Sequence, residues 1–338
     1  FALARPAGQF ALVDPARRAS ERERLAREGA QAQNRYREAE RAKAWGIWHR
    51  AQGFDPAASR DPVADYLRGR GLSVPRSFPV RSAADLSYWT SRERDGRTEP
   101  DIVYSGPAMV AAILDRDGRF AGCHITWVDP ARPGEKATIV HPDTGEILAS
   151  KKVRGTSRGH IPLWRARSTR KLIIGEGIET TLSIWTALLS PASLSGVSPS
   201  SPLDGPRPQD VPDLLKGSAG WAGVSLGSIG GAAEGTVRHP TLKRPPDRRG
   251  RVMPLRVPGP VPKPDDRALP IPDTVAEIIL LGDGDSDRFT TETALKRAAA
   301  RWARPGRTIR IAWPPDGMDF NDWLRATLAG GAKAEEAA

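Results

Sequence analysis

Between Lys171 and Trp313 short apolar runs alternate with helical stripes, and that alternation constrains the fold more than any other feature of the chain. Lys171-Leu-Ile-Ile-Gly175 reads as a strand, after which Ile178, Thr181, Leu182, Trp185 and Leu189 fall on one helical stripe. Residues 221–226 read as a second strand and 277–282 as a third, and Leu295, Ala298, Ala299 and Trp302 mark the helix that follows. Ile309, Ile311 and Trp313 alternate in a fourth strand, before a last helix from about Asn321. Strand and helix in turn predict an α/β fold: a parallel sheet with covering helices.

Upstream the pattern differs. Residues 16–52 are rich in Ala, Arg, Glu and Gln with no internal proline, which predicts one or two charged helices within an N-terminal segment of about 1–60. Asp61 followed by Pro62 opens a short helix as N-cap and first helical position. Residues 108–114 and 120–128 carry strand periodicity and flank Asp115-Arg-Asp-Gly-Arg119, a hairpin signal. An α+β unit is therefore expected over 61–165, the α/β unit over 166–328 and a tail over 329–338. Residues 233–273 hold ten of the 31 prolines, with nine Lys/Arg against five Asp/Glu, so they form neither a helix nor an inner strand. A mobile, net-positive inserted loop is expected there, either an idle insertion or a contact for nucleic acid.

The formal net charge is +11, from 51 Lys/Arg against 40 Asp/Glu, so the natural partner of the surface is a polyanion, nucleic acid first. Ten of those cations are Lys and 41 are Arg, which fits phosphate recognition by guanidinium groups or a coding bias. The lone Cys123 excludes an intramolecular disulfide and any Cys-based zinc site in these residues, and fits a reducing, cytoplasmic setting. No run approaches the roughly 20 apolar residues of a membrane helix, and the first residues lack the order of a signal peptide. A chain that begins with Phe1 rather than Met is expected to be part of a longer one. The five histidines have no ligand spacing, and Trp127, Trp185, Trp302 and Trp313 sit on apolar faces as core residues.

The chemistry gathers where the predicted strands end. Glu176 directly follows one strand and Asp283-Gly-Asp285-Ser-Asp287 another, and both loops open on the carboxyl edge of a parallel sheet, where ligands bind. Asp283 and Asp285, at i and i+2, can present two carboxylates to one point, and a cation between them relieves their repulsion. Oxygen-only sites favour Mg²⁺ or Mn²⁺ over zinc. A third acidic turn, Asp319-Phe-Asn321-Asp322, follows the fourth strand. Acids at strand ends also serve as ordinary turns and helix caps. Three such turns in a basic chain favour metal-assisted phosphoryl transfer on nucleic acid.

These residues carry a family resemblance. Leu172-Ile-Ile-Gly-Glu176-Gly-Ile-Glu179, Ile278-Ile-Leu-Leu-Gly-Asp283-Gly-Asp285 and Asp319-Phe-Asn-Asp322-Trp-Leu together resemble the Toprim domain of bacterial-type primases, topoisomerases and some nucleases. Residues 106–128, with Lys151-Lys-Val-Arg-Gly155, are similar to the domain that precedes Toprim in phage and plasmid primase-like proteins. The resemblance spans roughly residues 43–326 and implies a DNA primase: short primers made from NTPs on single-stranded DNA in phage- or plasmid-type replication, with a replicative helicase as a further partner. It implies Glu176 as general base or metal-linked acid, Asp283 and Asp285 as Mg²⁺ (or Mn²⁺) ligands with Asp319 beside them, and Glu179, Asp287, Asn321 and Asp322 as outer members. Glu179 stands where many relatives have Asp, and the zinc-binding template domain of bacterial primases is missing from these residues. Lys151, Lys152, Arg154 and Arg158 are the candidates for triphosphate or template contacts, or else a solvated basic hairpin.

Other classes fit less well. A topoisomerase needs a nucleophilic tyrosine downstream, whereas Tyr36, Tyr66, Tyr88 and Tyr104 all precede the Toprim-like stretch. No P-loop motif occurs, which disfavours an ATP-driven nuclease. A stand-alone metal-dependent nuclease and a non-catalytic DNA-binding replication module remain as alternatives; the second gains nothing from intact acids. Gly227-Ser-Ile-Gly-Gly231 reads as a turn rather than a phosphate cradle.

Overall fold

The computed structural model of the chain describes residues 15–55, 60–75, 78–94, 96–166, 168–189, 215–264 and 268–336. The expectations for residues before 15, for 265–267 of the insert and for the last two residues lie outside them.

One long helix, α1 (Pro15–Arg50), opens the chain, and i to i+4 pairs such as Glu23 with Arg27 line its exposed length. Only its end packs: Ala44 is buried, and Trp45 meets Phe120 edge-on at 5.1 Å. Its last carbonyls are closed by Arg81, which donates to Trp48 O, His49 O and Ala51 O and stacks over the Trp48 ring. β1 (Gln52–Gly53) and α2 (Pro62–Gly69) follow, the latter capped by Asp61, whose carboxylate accepts from Val63 N at 2.8 Å. Strands β2 (Val80–Arg94), β3 (Arg97–Leu114) and β4 (Phe120–Trp127), the short β5 (Ile139–Val140) and β6 (Ile147–Leu148), and β7 (Lys151–Gly155) complete the first half. They build an antiparallel sheet in the order β1-β2-β3-β4-β7. The Asp115 hairpin joins β3 to β4 as its turn residues predict; the long β2 arm of the preceding hairpin lies where the sequence suggests no strand. Period-2 alternation splits this sheet between two cores. Val110, Cys123, Ile125 and Trp127 pack toward α1, and Met109, Ala111 and Ile113 pack toward α2 and the second sheet.

The second sheet is built from β8 (Ile161–Trp164), β9 (Lys171–Gly175), β10 (Ser218–Ala222), β13 (Glu277–Leu281) and β14 (Thr308–Ala312), in the order β14-β13-β9-β10-β8. Four strands run parallel and β8, from the α+β side of the sequence, pairs antiparallel at the edge. The second strand begins three residues earlier than its apolar run suggests, at Ser218. Gly223 ends it, and Ser225 caps a short α4 (Leu226–Gly230) in place of the expected glycine turn. Helices α3 (Ile178–Leu188) and α6 (Phe320–Glu336) cover one face and α5 (Arg288–Trp302) the other. Leu172, Ile174, Ile278 and Leu280 are all fully buried toward α5, each stabilising the fold by about 1.5–3 kcal/mol. Trp127, Trp185 and Trp302 are core residues as expected, while Trp313 is part-exposed and carries the Arg288 guanidinium 3.5 Å over its ring.

The insert corrects the expected mobile loop. It is an antiparallel ribbon of β11 (Thr236–Lys243) and β12 (Pro254–Pro258), whose prolines are compatible with strands because both edges of a two-stranded ribbon are free. No described helix is long and apolar enough to cross a membrane.

Candidate active site

Parallel register brings the acidic loops together. Ile174 of β9 pairs with Leu280 of β13, so Glu176 and Asp283 leave adjacent strands almost level with each other. Two glycines permit the packing: a Cβ on Gly282 would lie 2.2 Å from the Trp313 ring, and one on Gly284 2.2 Å from the Met318 carbonyl. Glu176 is half-buried. Burial raises its proton affinity, the Leu226 N–H and the Lys151 ammonium lower it, and the Asp285 charge raises it again. Beside it, Val224 holds φ 67°, the one non-glycine positive φ among the described residues. A β-branched side chain there costs on the order of 1–3 kcal/mol, a strain of the kind that collects at functional sites.

Asp283 and Asp285 face each other within hydrogen-bonding reach. Burial, hydrogen bonding to the Asp285 carboxyl and the charges of Asp285 and Glu176 push Asp283 up to about 7, against a partial offset from Ser286. Ser286 Oγ donates to Asp283 Oδ2 at 3.0 Å, whereas Asp283 Oδ1 is buried with no hydrogen-bond partner among the described residues. A buried, unpartnered carboxylate oxygen on a residue whose neighbour is a second carboxylate suits a divalent cation. Among the described residues no three His, Cys, Asp or Glu side chains are grouped to hold one ion, so Glu176, Asp283, Asp285 and Asp319 do not form a single cage. A pair fits Mg²⁺, which keeps several waters and takes one or two carboxylates plus substrate phosphates.

The remaining acids have other partners. Asp319 Oδ1 accepts from Asp322 N at 2.7 Å at the start of α6, and Asp322 is exposed. Asp287 is the N-cap of α5, accepting from Thr290 N at 2.8 Å, and lies 3.0 Å from His239 Nε2. Asn321 is fully buried and ties three helices, donating to Arg70 O at 3.0 Å and Ser183 Oγ at 3.3 Å. Glu179 is buried among side chains of the first half. Tyr66 donates to it at 2.6 Å, and the Lys151 and Lys136 ammonium groups lie 3.3 and 3.7 Å away.

The four basic candidates do not converge. Lys151 and Lys152 alternate across β7 and face opposite sides. Lys151 meets Glu179 and acts electrostatically on Glu176. Lys152 donates to Trp89 O and sits 3.6 Å over the Tyr88 ring, and Arg154 reaches Glu40 of α1 at 3.9 Å. Arg158 is exposed on the α1 side. Sequence reasoning missed Tyr66, Lys136 and His124, which share the interface with Lys151. His124 Nδ1 and Thr126 Oγ1 are buried there without partners among the described residues, and burial with the Lys151 charge takes His124 down to about 4. The one available signal was their alternation: His124 and Thr126 are the polar positions of an otherwise apolar β4.

A family model described as "Domain of unknown function (DUF7146)" matches residues 38–161. No curated protein matches the chain. Among solved structures, the chain is similar to a DNA primase domain from Pseudomonas aeruginosa, with 13% identity over 85% of this chain and 74% of that one and a TM-score of 0.40. It is similar also to a DnaG primase catalytic domain bound to ssDNA, with 15% identity over 89% and 81% and a TM-score of 0.41. The E. coli primase catalytic core aligns with 14% identity over 78% and 69% and a TM-score of 0.37.

Proposed function

We propose that this chain is a metal-dependent nucleotidyl transferase of the DNA primase type, joining ribonucleotides into short primers on single-stranded DNA. One observation carries the reading: Glu176 and the Asp283–Asp285 pair meet at the carboxyl ends of adjacent parallel strands, with Asp283 Oδ1 buried and unpartnered, in a chain of net charge +11. Asp283 and Asp285 would hold Mg²⁺ or Mn²⁺. When bound, the ion supplies charge neutralisation for the triphosphate and acidifies the attacking hydroxyl. Glu176, its proton affinity raised by burial, would accept the proton of a primer 3′-hydroxyl. Lys151, kept charged by Glu179 against the cost of burial, offers its ammonium to the triphosphate on the side of Glu176. The surrounding reaction would be phage- or plasmid-type replication in the cytoplasm, with a replicative helicase opening the template.

The test is primer synthesis on single-stranded DNA with labelled NTPs and Mg²⁺ or Mn²⁺. Synthesis that Glu176→Gln abolishes without loss of fold supports the reading. Degradation of DNA with Mg²⁺ and no NTP, stopped by the same substitution, replaces it with a nuclease.

A further inference from the structure

We propose that the β11–β12 ribbon is an arm that grips the sugar-phosphate backbone of a double helix beside the carboxylates. Between Thr236 and Pro258 there are seven Arg/Lys and one Asp. Arg238, Lys243, Arg244, Arg248 and Arg249 are exposed, and among the described residues their side chains form no ion pair. Arg238 and Arg256 stand directly opposite each other across the ribbon. Like charges in that position destabilise a strand pair, and a polyanion between them removes the penalty.

The arm is rigid at its root. Val257 and His239 are buried on its inner face. Arg297 of α5 donates to Pro258 O at 3.1 Å and Gly259 O at 2.6 Å, and Arg301 to Ala232 O and Lys263 O, both at 2.8 Å. Where the ladder breaks between Arg238 and Lys243, His239 Nδ1 accepts from Thr241 N at 3.2 Å and Leu242 N at 2.8 Å. Nδ1 therefore carries the lone pair, and Nε2–H donates to Asp287, the last residue of the acidic loop. This bond fixes the root of the arm to the segment that bears Asp283 and Asp285. β11 spans on the order of 25 Å over its eight residues, enough to follow several phosphates of one strand.

The composition of the arm selects the form of nucleic acid. Single strands are held largely by stacking of bases on aromatic rings, and no Phe, Tyr or Trp occurs between Thr236 and Pro258. Guanidinium groups along a narrow two-stranded ribbon suit the closely spaced phosphate tracks of a duplex. That the duplex is a primer–template hybrid rests on the proposed function; that the arm binds a duplex does not.

The experiment measures fluorescence anisotropy of the full chain with a short labelled RNA–DNA hybrid and with single-stranded DNA of equal length, without NTP or metal. Arg244→Ala, Arg248→Ala and Arg249→Ala are combined in one variant, exposed positions whose replacement leaves the melting temperature as a check on folding. The expected result is a loss of hybrid affinity of about tenfold or more. The log-log salt slope becomes shallower by roughly 2–3, at about 0.9 per phosphate contact, while single-strand affinity changes less than about twofold. Unchanged hybrid affinity and slope, or an equal loss on single strands, overturns the proposal. A failure of primer synthesis leaves this binding result standing, so the two readings fail separately.

Discussion

Glu179→Gln probes how the two sheets are joined. The residue is 4% exposed, accepts from Tyr66 at 2.6 Å and faces Lys151 and Lys136 at 3.3 and 3.7 Å. Removing one partner of a fully buried ion pair costs about 3–5 kcal/mol. The Lys151 and Lys136 side chains keep 35% and 29% exposure, and water screening brings the expected loss to about 2–3 kcal/mol. Gln preserves the volume and an acceptor for Tyr66, so the change is one of charge. At about 2–4 °C per kcal/mol for units of this size, the melting temperature falls by roughly 4–12 °C. Tyr66→Phe removes one hydrogen bond to a charged group, about 1.5–3 kcal/mol, and the two losses do not add, because both act on one carboxylate. The dependence on pH follows from the same contacts. Burial alone would raise Glu179, but Lys151, Lys136 and the Tyr66 hydroxyl outweigh it and hold the carboxyl well below its ordinary range. A depressed folded-state value contributes stability that is full above the unfolded value of about 4.3 and is lost as pH falls through the folded one. Calorimetry across a pH series therefore shows a constant gap between wild type and Glu179→Gln near neutrality that closes in acid. A shift under about 1 °C, or a gap indifferent to acid, refutes the account.

Two further outcomes test the site. The double substitution Asp283→Asn with Asp285→Asn raises the melting temperature of the metal-free protein, because it removes like-charge repulsion, and abolishes Mn²⁺ binding by titration calorimetry; unchanged Mn²⁺ affinity sinks the assignment. Lys151→Ala lowers primer synthesis by an order of magnitude or more, whereas Lys152→Ala, on the opposite face of β7, lowers the melting temperature with synthesis nearly intact; equal losses of synthesis contradict the facing.

The parallel sheet was legible because its strands are buried on both faces and so read as continuous apolar runs: Leu172-Ile-Ile and Ile278-Ile-Leu-Leu admit little else. Asp61, followed by Pro62, declared its helix start for the same local reason. The β2 arm was not legible, since Val80–Arg94 is half polar with two irregularities in its pairing, which erase the period-2 signal. The ribbon was hidden by its prolines, tolerable only because each strand has a free edge, a fact of topology rather than of local sequence. The acidic turns marked the candidate residues, but not that Asp287, Asp319 and Asn321 spend their polar atoms on helix starts and helix contacts. Nor could spacing reveal that Tyr66, 113 residues from Glu179, donates to it.

The distribution of charge explains how one chain can present acids to a polyanion. Glu176, Asp283 and Asp285 sit at the carboxyl edge of the second sheet, while the β11–β12 arm, whose root is bonded to Asp287, carries five exposed cations that form no ion pair among the described residues. Phosphates near the acids are repelled until a cation fills the Asp283–Asp285 pair, whereas phosphates along the arm are attracted with or without it. Salt and metal should thus act on different parts of one bound duplex: salt on the length held by the arm, metal on the terminus at the carboxylates. The two contacts share no side chain, so the losses from the triple arginine variant and from the Asp283–Asp285 double substitution add on a logarithmic scale when binding is measured with Mg²⁺. Strong non-additivity would mean that His239 and Asp287 transmit more than position, and that filling the carboxylate pair moves the arm.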